Sequence, residues 1–221
     1  MSCWQNLPCA VRVIVTSVDD IATQGRSLVE RRVEESKLAI ASEALALAQE
    51  FGWDAVTVAQ IAARAGVSQR TFHRYFAKKG DVFRPLLDDA ALRFCRAFED
   101  SEAGSLSVRT AEALEVSLAS YPGGMSAARL AYRLLHDTPA LTSVWLEGAF
   151  IAEGLFATTL LQSVDRIGSR EDAGLLAAVL LAAQRFAIIR WVHGSVPEAL
   201  HALVVEAIDA VPRFPFEADR T

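Results

Sequence analysis

GVSQRTFHRYF, Gly66 to Phe76, packs one glycine, two arginines, one histidine and three aromatics into eleven residues and contains no acid. The chain around it is acidic, with a net charge of -5, so such a stretch needs a physical reason. Just upstream, Thr57 precedes VAQIAARA and is a natural N-cap. The short helix that follows buries Val58, Ile61, Ala62 and Ala65, and Gly66 ends it by permitting a left-handed turn. Ser68 caps a second short helix over 69–75, with Phe72 and Phe76 pointing inward. Two short helices joined by AGVS read as a helix-turn-helix, in which the first packs across the second and the second projects.

With both phenylalanines turned inward, Gln69, Arg70, His73 and Arg74 lie on the outer side. Such a strip suits the major groove of a duplex. Arg is bidentate to guanine O6 and N7, and Gln to adenine N6 and N7. The hydroxyls of Thr57, Thr71 and Tyr75, with the Lys79 ammonium, sit where they can hold phosphates and fix the register. Charge along the chain agrees. Residues 1–79 carry ten Lys/Arg against eight acids, the remainder twelve against nineteen, and 64–79 holds five cations and no anion. An ordinary amphipathic helix would account for TFHRYF taken alone. The turn, the cap, the charge asymmetry and the preceding helix together argue against that.

The helical period extends over most of the chain. Ile40, Ala44, Leu47, Ala48 and Phe51 share one face of a helix from about Leu28, which Gly52 stops. A fourth helix runs from Lys78–Asp81 to about Glu99, with Pro85 kinking it or delaying its start. Further helices are expected over 106–119, from a Ser126 cap to Asp137, and from a Thr138 cap with Pro139 in first position to about Val164. Two more follow, opened by Ser169 with Asp172 and ending at His193, and from Ser195–Pro197 to Val211. The expected fold is therefore all-α with about nine helices. Residues 1–27 read as an irregular extension, since CAVRVIVTSV has strand-like content and no partner strand. Residues 28–77 form a helix-turn-helix domain, 78–212 a second helical domain and 213–221 a tail.

TVAQIAARAGVSQRTFHRYFAKKGDVF (Thr57–Phe83), behind a helix ending in FGW, resembles the TetR family of bacterial regulators over about Val33 to Leu87. The resemblance implies an all-helical homodimer in which three N-terminal helices bind DNA and the rest holds ligand and partner. Carried over by position, helix 69–75 is the recognition helix. Its base readers are Gln69, Arg70 and His73, and the candidate DNA surface comprises Thr57, Ser68, Gln69, Arg70, Thr71, His73, Arg74, Tyr75 and Lys79. Many members carry Tyr or Phe where this chain has His73, which leaves the base preference open. The N-terminal extension is longer than usual; Arg26, Arg31 and Arg32 either track the minor groove or belong to a loose tail. LLHDTPAL (Leu134–Leu141) and RWVHGSVPEALHALVVEAIDAV (Arg190–Val211) resemble a C-terminal domain type of actinobacterial TetR regulators, which implies an acyl-CoA-like effector.

The second half offers Phe94, Phe98, Met125, Tyr132, Trp145, Phe150 and Phe186 as walls of a ligand pocket, although any helical core uses the same side chains. Arg129 and Arg133, on one face with His136, and Arg190, with Arg185 and His193, are cations that can receive a carboxylate, phosphate or CoA group. The alternative is a solvated face, or pairing with Glu147 and Glu153. Helix 170–193 is apolar nearly all round and, with helix 197–211, suggests a four-helix dimer bundle. Two-fold symmetry would then set the recognition helices roughly 34–36 Å apart, or a multiple of that.

These features lead to a ligand-responsive repressor that binds a pseudo-palindromic duplex operator as a dimer. The alternative is a helical small-molecule-binding or protein-interaction module that does not bind DNA. No GxSxG, glycine-rich phosphate loop or HExxH occurs, so no enzyme is expected. The four histidines, His73, His136, His193 and His201, lack ligand spacing with the cysteines, so no metal or other cofactor is expected. Cys3, Cys9 and Cys95 form no CxxC and read as reduced thiols. No secretory leader is recognisable, and the longest apolar run, Leu175–Ala183, is too short for a bilayer. A cytoplasmic protein without membrane contact is the expectation.

Overall fold

The computed structural model describes residues 28–194 and 200–211, which form nine α-helices and no strand. α1 (Leu28–Phe51) buries Ile40, Ala41, Ala44, Leu45, Leu47 and Ala48. Gly52, at φ +79°, ends it. Phe51 departs from the expected strip: as the last residue of the helix it is 58% exposed. A 3-10 turn, Trp53–Ala55, folds the Trp53 ring back to 4.9 Å from that of Phe83. α2 (Val58–Arg64) opens with a capping box. Thr57 Oγ1 accepts from the Gln60 N–H at 3.2 Å, and the Thr57 N–H donates to Gln60 Oε1 at 2.8 Å. α3 (Gln69–Tyr75) follows the turn at Gly66, whose φ of +66° is a left-handed value that glycine adopts without strain.

A second 3-10 turn (Lys79–Phe83) leads into α4 (Arg84–Asp100). The helix thus starts later than its first polar residues suggest. Pro85 lies in its first turn, where a missing N–H costs nothing, and no kink results. α5 (Leu106–Ala119) is capped by Ser105, whose hydroxyl accepts from the Val108 N–H. α6 (Gly124–Asp137) begins two residues before Ser126, behind Gly123 at φ +87°; Ser126 is not its cap. α7 (Pro139–Ser163) has Pro139 in its first turn as expected, but Thr138 makes no side-chain cap. α8 (Arg170–His193) is capped by Ser169, and α9 is described from Leu200 to Asp209. The extension 1–27 with Arg26, the start of the last helix at 195–199, and the tail from 212 lie outside the described residues.

α4 is the hinge of the arrangement. It packs on α1 at one end and on α5 and α7 along its length, while α7 pairs with α8 and α9 lies against α5 and α8. A single apolar core runs through all of these helices. α7 and α8 are each long and apolar enough, by length and composition, to cross a bilayer. An uninterrupted apolar run understates this, since isolated polar side chains punctuate both helices. In the fold both are packed against neighbouring helices.

Candidate nucleic-acid interface and ligand cavity

α3 has only seven residues, too few to be stable in isolation. Tertiary anchors hold it. Phe72 is fully buried, Phe76 nearly so, and their rings lie 5.1 Å apart. At its start the Ser68 hydroxyl accepts the Thr71 N–H at 3.0 Å and pairs with Thr71 Oγ1 at 3.0 Å. The opposite face presents Gln69, Arg70, His73 and Arg74 to solvent together. Thr57, exposed at the start of α2, and half-buried Thr71 have hydroxyls already engaged in caps.

Three cations beside this face have partners within the protein. Arg64 is bidentate to Glu50 and also reaches Glu43 at 3.2 Å, which holds the Glu50 carboxyl below its usual range. Its charge therefore faces α1. Arg74 donates to the Tyr75 hydroxyl at 3.0 Å. Lys79 donates to the carbonyls of Trp53 at 3.0 Å and Val56 at 2.8 Å, and lies 4.2 Å from the Trp53 ring centroid. Partial burial lowers its pKa below the ordinary lysine value. Lys79 thereby locks the turn after α3 to the turn before α2.

A cavity of about 70 Å³ lies among α4, α5, α6, α7 and α8. Of the residues proposed from the sequence, Phe94, Tyr132 and Trp145 line it. Tyr132 and Trp145 meet edge to face at 6.0 Å, and burial pushes the Tyr132 phenol up to about 12. Phe98 does not line it; its ring lies tilted against Phe94 at 6.4 Å and edge to face with Phe156 at 4.9 Å. Arg185, named from the sequence as a candidate cation, also lines it, whereas Leu87, Ser117 and Gln184 were not anticipated. Ser117 donates to the Ala90 carbonyl at 2.7 Å. Gln184 is only 8% exposed, yet its amide oxygen meets no donor. Arg185 opposes the raised pKa that burial imposes on Glu153. A Gln–Arg pair in the middle of an apolar helix was the signal available in the sequence.

The other candidates lie elsewhere. Met125, Arg129 and Arg133 line a separate cleft of about 240 Å³ beside Trp191. There the two arginines cap the end of α8. Arg129 donates to the carbonyls of Trp191 and Gly194, and Arg133 to that of Val192 at 3.0 Å. Arg109 does the same for α4, reaching the Phe98 carbonyl at 2.6 Å. Arg190 pairs with Glu206 at 3.1 Å, near Phe186. Phe150 on α7 and Phe186 on α8 face outward, 60% and 57% exposed.

Comparison with known proteins bears on these surfaces. Residues 40–86 match the family described as bacterial regulatory proteins, tetR family. No protein of curated function matches the chain. Among solved structures, one from Mesorhizobium loti, assigned to the TetR family of transcriptional regulators, is 21% identical. It covers 81% of this chain and 96% of its own, with a TM-score of 0.50. A transcriptional regulator from Rhodococcus sp. Rha1 (22% identity, 78% and 94% covered) and the multidrug binding protein EbrR complexed with imidazole (22%, 80% and 96%) both give 0.48. At 21% identity the likeness to the Mesorhizobium loti structure concerns the fold alone.

Proposed function

We propose that this chain, a member of the TetR family through the domain at residues 40–86, is a ligand-responsive transcriptional repressor. It binds a pseudo-palindromic duplex operator as a homodimer in the cytoplasm. One observation carries the reading: α3 is pinned by Phe72 and Phe76 from behind while Gln69, Arg70, His73 and Arg74 share its free face. Gln69, Arg70 and His73 read base edges, Arg70 being suited to guanine. Thr57, Ser68, Thr71, Arg74, Tyr75 and Lys79 contribute to phosphate contact or to holding the helix in register.

The effector occupies the cavity among α4 to α8. Its walls favour an apolar or aromatic moiety, such as a fatty acyl tail, and the Gln184 oxygen favours a hydrogen-bond donor on it. At about 70 Å³ the cavity is well below the size usual for a drug-sized ligand, so effector entry must part the surrounding helices. A route to the DNA face exists at the α7 end. A Cβ on Gly80 would meet Leu141 Cδ2 at 2.8 Å, and Arg84 pairs with Glu147 at 3.2 Å. Movement of α7 therefore presses on the turn that follows α3. The coupling equals the effector's preference for one of the two states.

The test begins with in vitro selection of bound duplexes. Affinity for the selected sequence should fall steeply with salt. Arg70→Ala and His73→Ala should each lose about 1–3 kcal/mol of discrimination against changed base pairs while still folding. A folded, dimeric protein without salt-dependent duplex binding would instead be a ligand-binding or interaction module.

A further inference from the structure

We infer that His136, Asp137 and His193 form a three-ligand site for a divalent first-row transition ion of the zinc, nickel or cobalt type. α6 ends at Asp137 and α8 at His193, and the two ends converge. His136 Nδ1 lies 2.8 Å from Asp137 Oδ1, His193 Nε2 lies 3.2 Å from the same oxygen, and the two ring nitrogens are 3.3 Å apart. Three donor atoms thus close a triangle.

The size of that triangle is what an ion requires. Zinc binds imidazole nitrogen and carboxylate oxygen at about 2.0–2.2 Å. A triangle with sides of 2.8, 3.2 and 3.3 Å has its corners about 1.8 Å from its centre, so an ion at those lengths sits roughly 1 Å above the plane. At these lengths the donor–donor distances need not change. Without an ion, His136 Nδ1–H and His193 Nε2–H can each donate to Asp137 Oδ1, which leaves the two ring nitrogens 3.3 Å apart with no proton between them. A cation facing all three atoms would take the place of these protons.

The surroundings suit a cation. Two helix C-termini meet here, and each concentrates partial negative charge. Arg129 and Arg133 offset part of this at α8, but their donors are aimed at the carbonyls of Trp191, Val192 and Gly194 rather than at the triangle. His136 is steadied by Trp145, ring to ring at 6.0 Å. Two imidazoles and one carboxylate select borderline transition ions over calcium or magnesium, which favour oxygen, and over ions that demand thiolate. Asp137 and His193 are exposed, so further positions are open to water or a small ligand.

An ion here would tie the α6–α7 corner to the end of α8. Its binding does not depend on the proposed regulator function. The experiment uses the tag-free full chain, stripped with chelator and titrated with Zn2+ by calorimetry and with Co2+ by absorption. One ion per chain is expected, with cobalt d–d bands and no thiolate charge-transfer band. Even outer-shell partners are worth about 10–100-fold in affinity, so His193→Ala should weaken binding by more than about 100-fold. Asp137→Asn, which preserves shape, should weaken it as well, with far-ultraviolet dichroism unchanged. Absence of saturable binding, or unaltered affinity in a folded His136→Ala/His193→Ala double variant, would overturn the assignment.

Discussion

Lys79 donates to the carbonyls of Trp53 and Val56 and covers the Trp53 ring, so its removal strips two carbonyls of a charged donor. Lys79→Ala should therefore cost about 1–3 kcal/mol of stability. A shifted urea midpoint is the measurement; a loss of duplex affinity with stability unchanged would make Lys79 a simple phosphate contact. Arg129 and Arg133 present the same lesson. In the sequence they are cations beside apolar residues; in the fold they satisfy carbonyls at the end of α8. The proposed base readers contrast with them, since Gln69, Arg70 and His73 remain at the surface.

At the scale of the element, α4 carries a polar group in an unfavourable place. Burial pushes the Asp88 carboxyl up to about 6 from an ordinary 3.8, against the pull of Arg84 at 3.3 Å. Because the folded-state value is the higher one, the folded protein holds this proton more tightly. Asp88 thus subtracts nothing below pH 3.8, and its penalty grows as pH rises to about 6 and is complete above it. Two units would correspond to nearly 3 kcal/mol, but the side chain is 46% exposed, and solvent screening reduces this to about 1 kcal/mol or less. Asp88→Asn should therefore stabilise the protein at pH 7.5 and leave it unchanged at pH 4, less a few tenths of a kcal/mol for the lost pairing with Arg84. Urea midpoints at the two pH values check both the sign and the window. The boundaries of α2, α3 and α8 were legible because Thr57, Ser68 and Ser169 act locally through their own caps. The starts of α4 and α6 were not. Whether a turn tightens into 3-10 geometry before Pro85, or glycine opens a helix, depends on what the segment packs against.

For the whole molecule, the large apolar side chains left outside are telling. Leu146, Phe150 and Leu161 on α7, with Leu175 and Phe186 on α8, are exposed together with no counterpart of that size exposed on the described part of α9. Of the two helices that the sequence reading assigned to a dimer, α8 (170–193) carries part of this face, and α7, which packs on it, carries the rest. A dimer through these two helices would cover it. Phe150→Glu and Phe186→Glu should each shift the protein toward monomer in sedimentation experiments. If the proposed function holds, affinity for the selected duplex should fall with it, because two half-sites would then no longer be bound by one rigid body. A fully dimeric Phe150→Glu/Phe186→Glu protein would place the interface elsewhere.

The all-helical class, the helix-turn-helix and the outward face of α3 followed from the sequence alone, because helical period, caps and turn glycines act over a few residues. The meeting of His136 and Asp137 with His193, the cavity around Gln184, and the carbonyl partners of Lys79, Arg129 and Arg133 were decided only by the tertiary structure. Each joins residues distant in the chain, and the partner that gives a polar side chain its meaning is supplied by helix packing rather than by its neighbours in sequence.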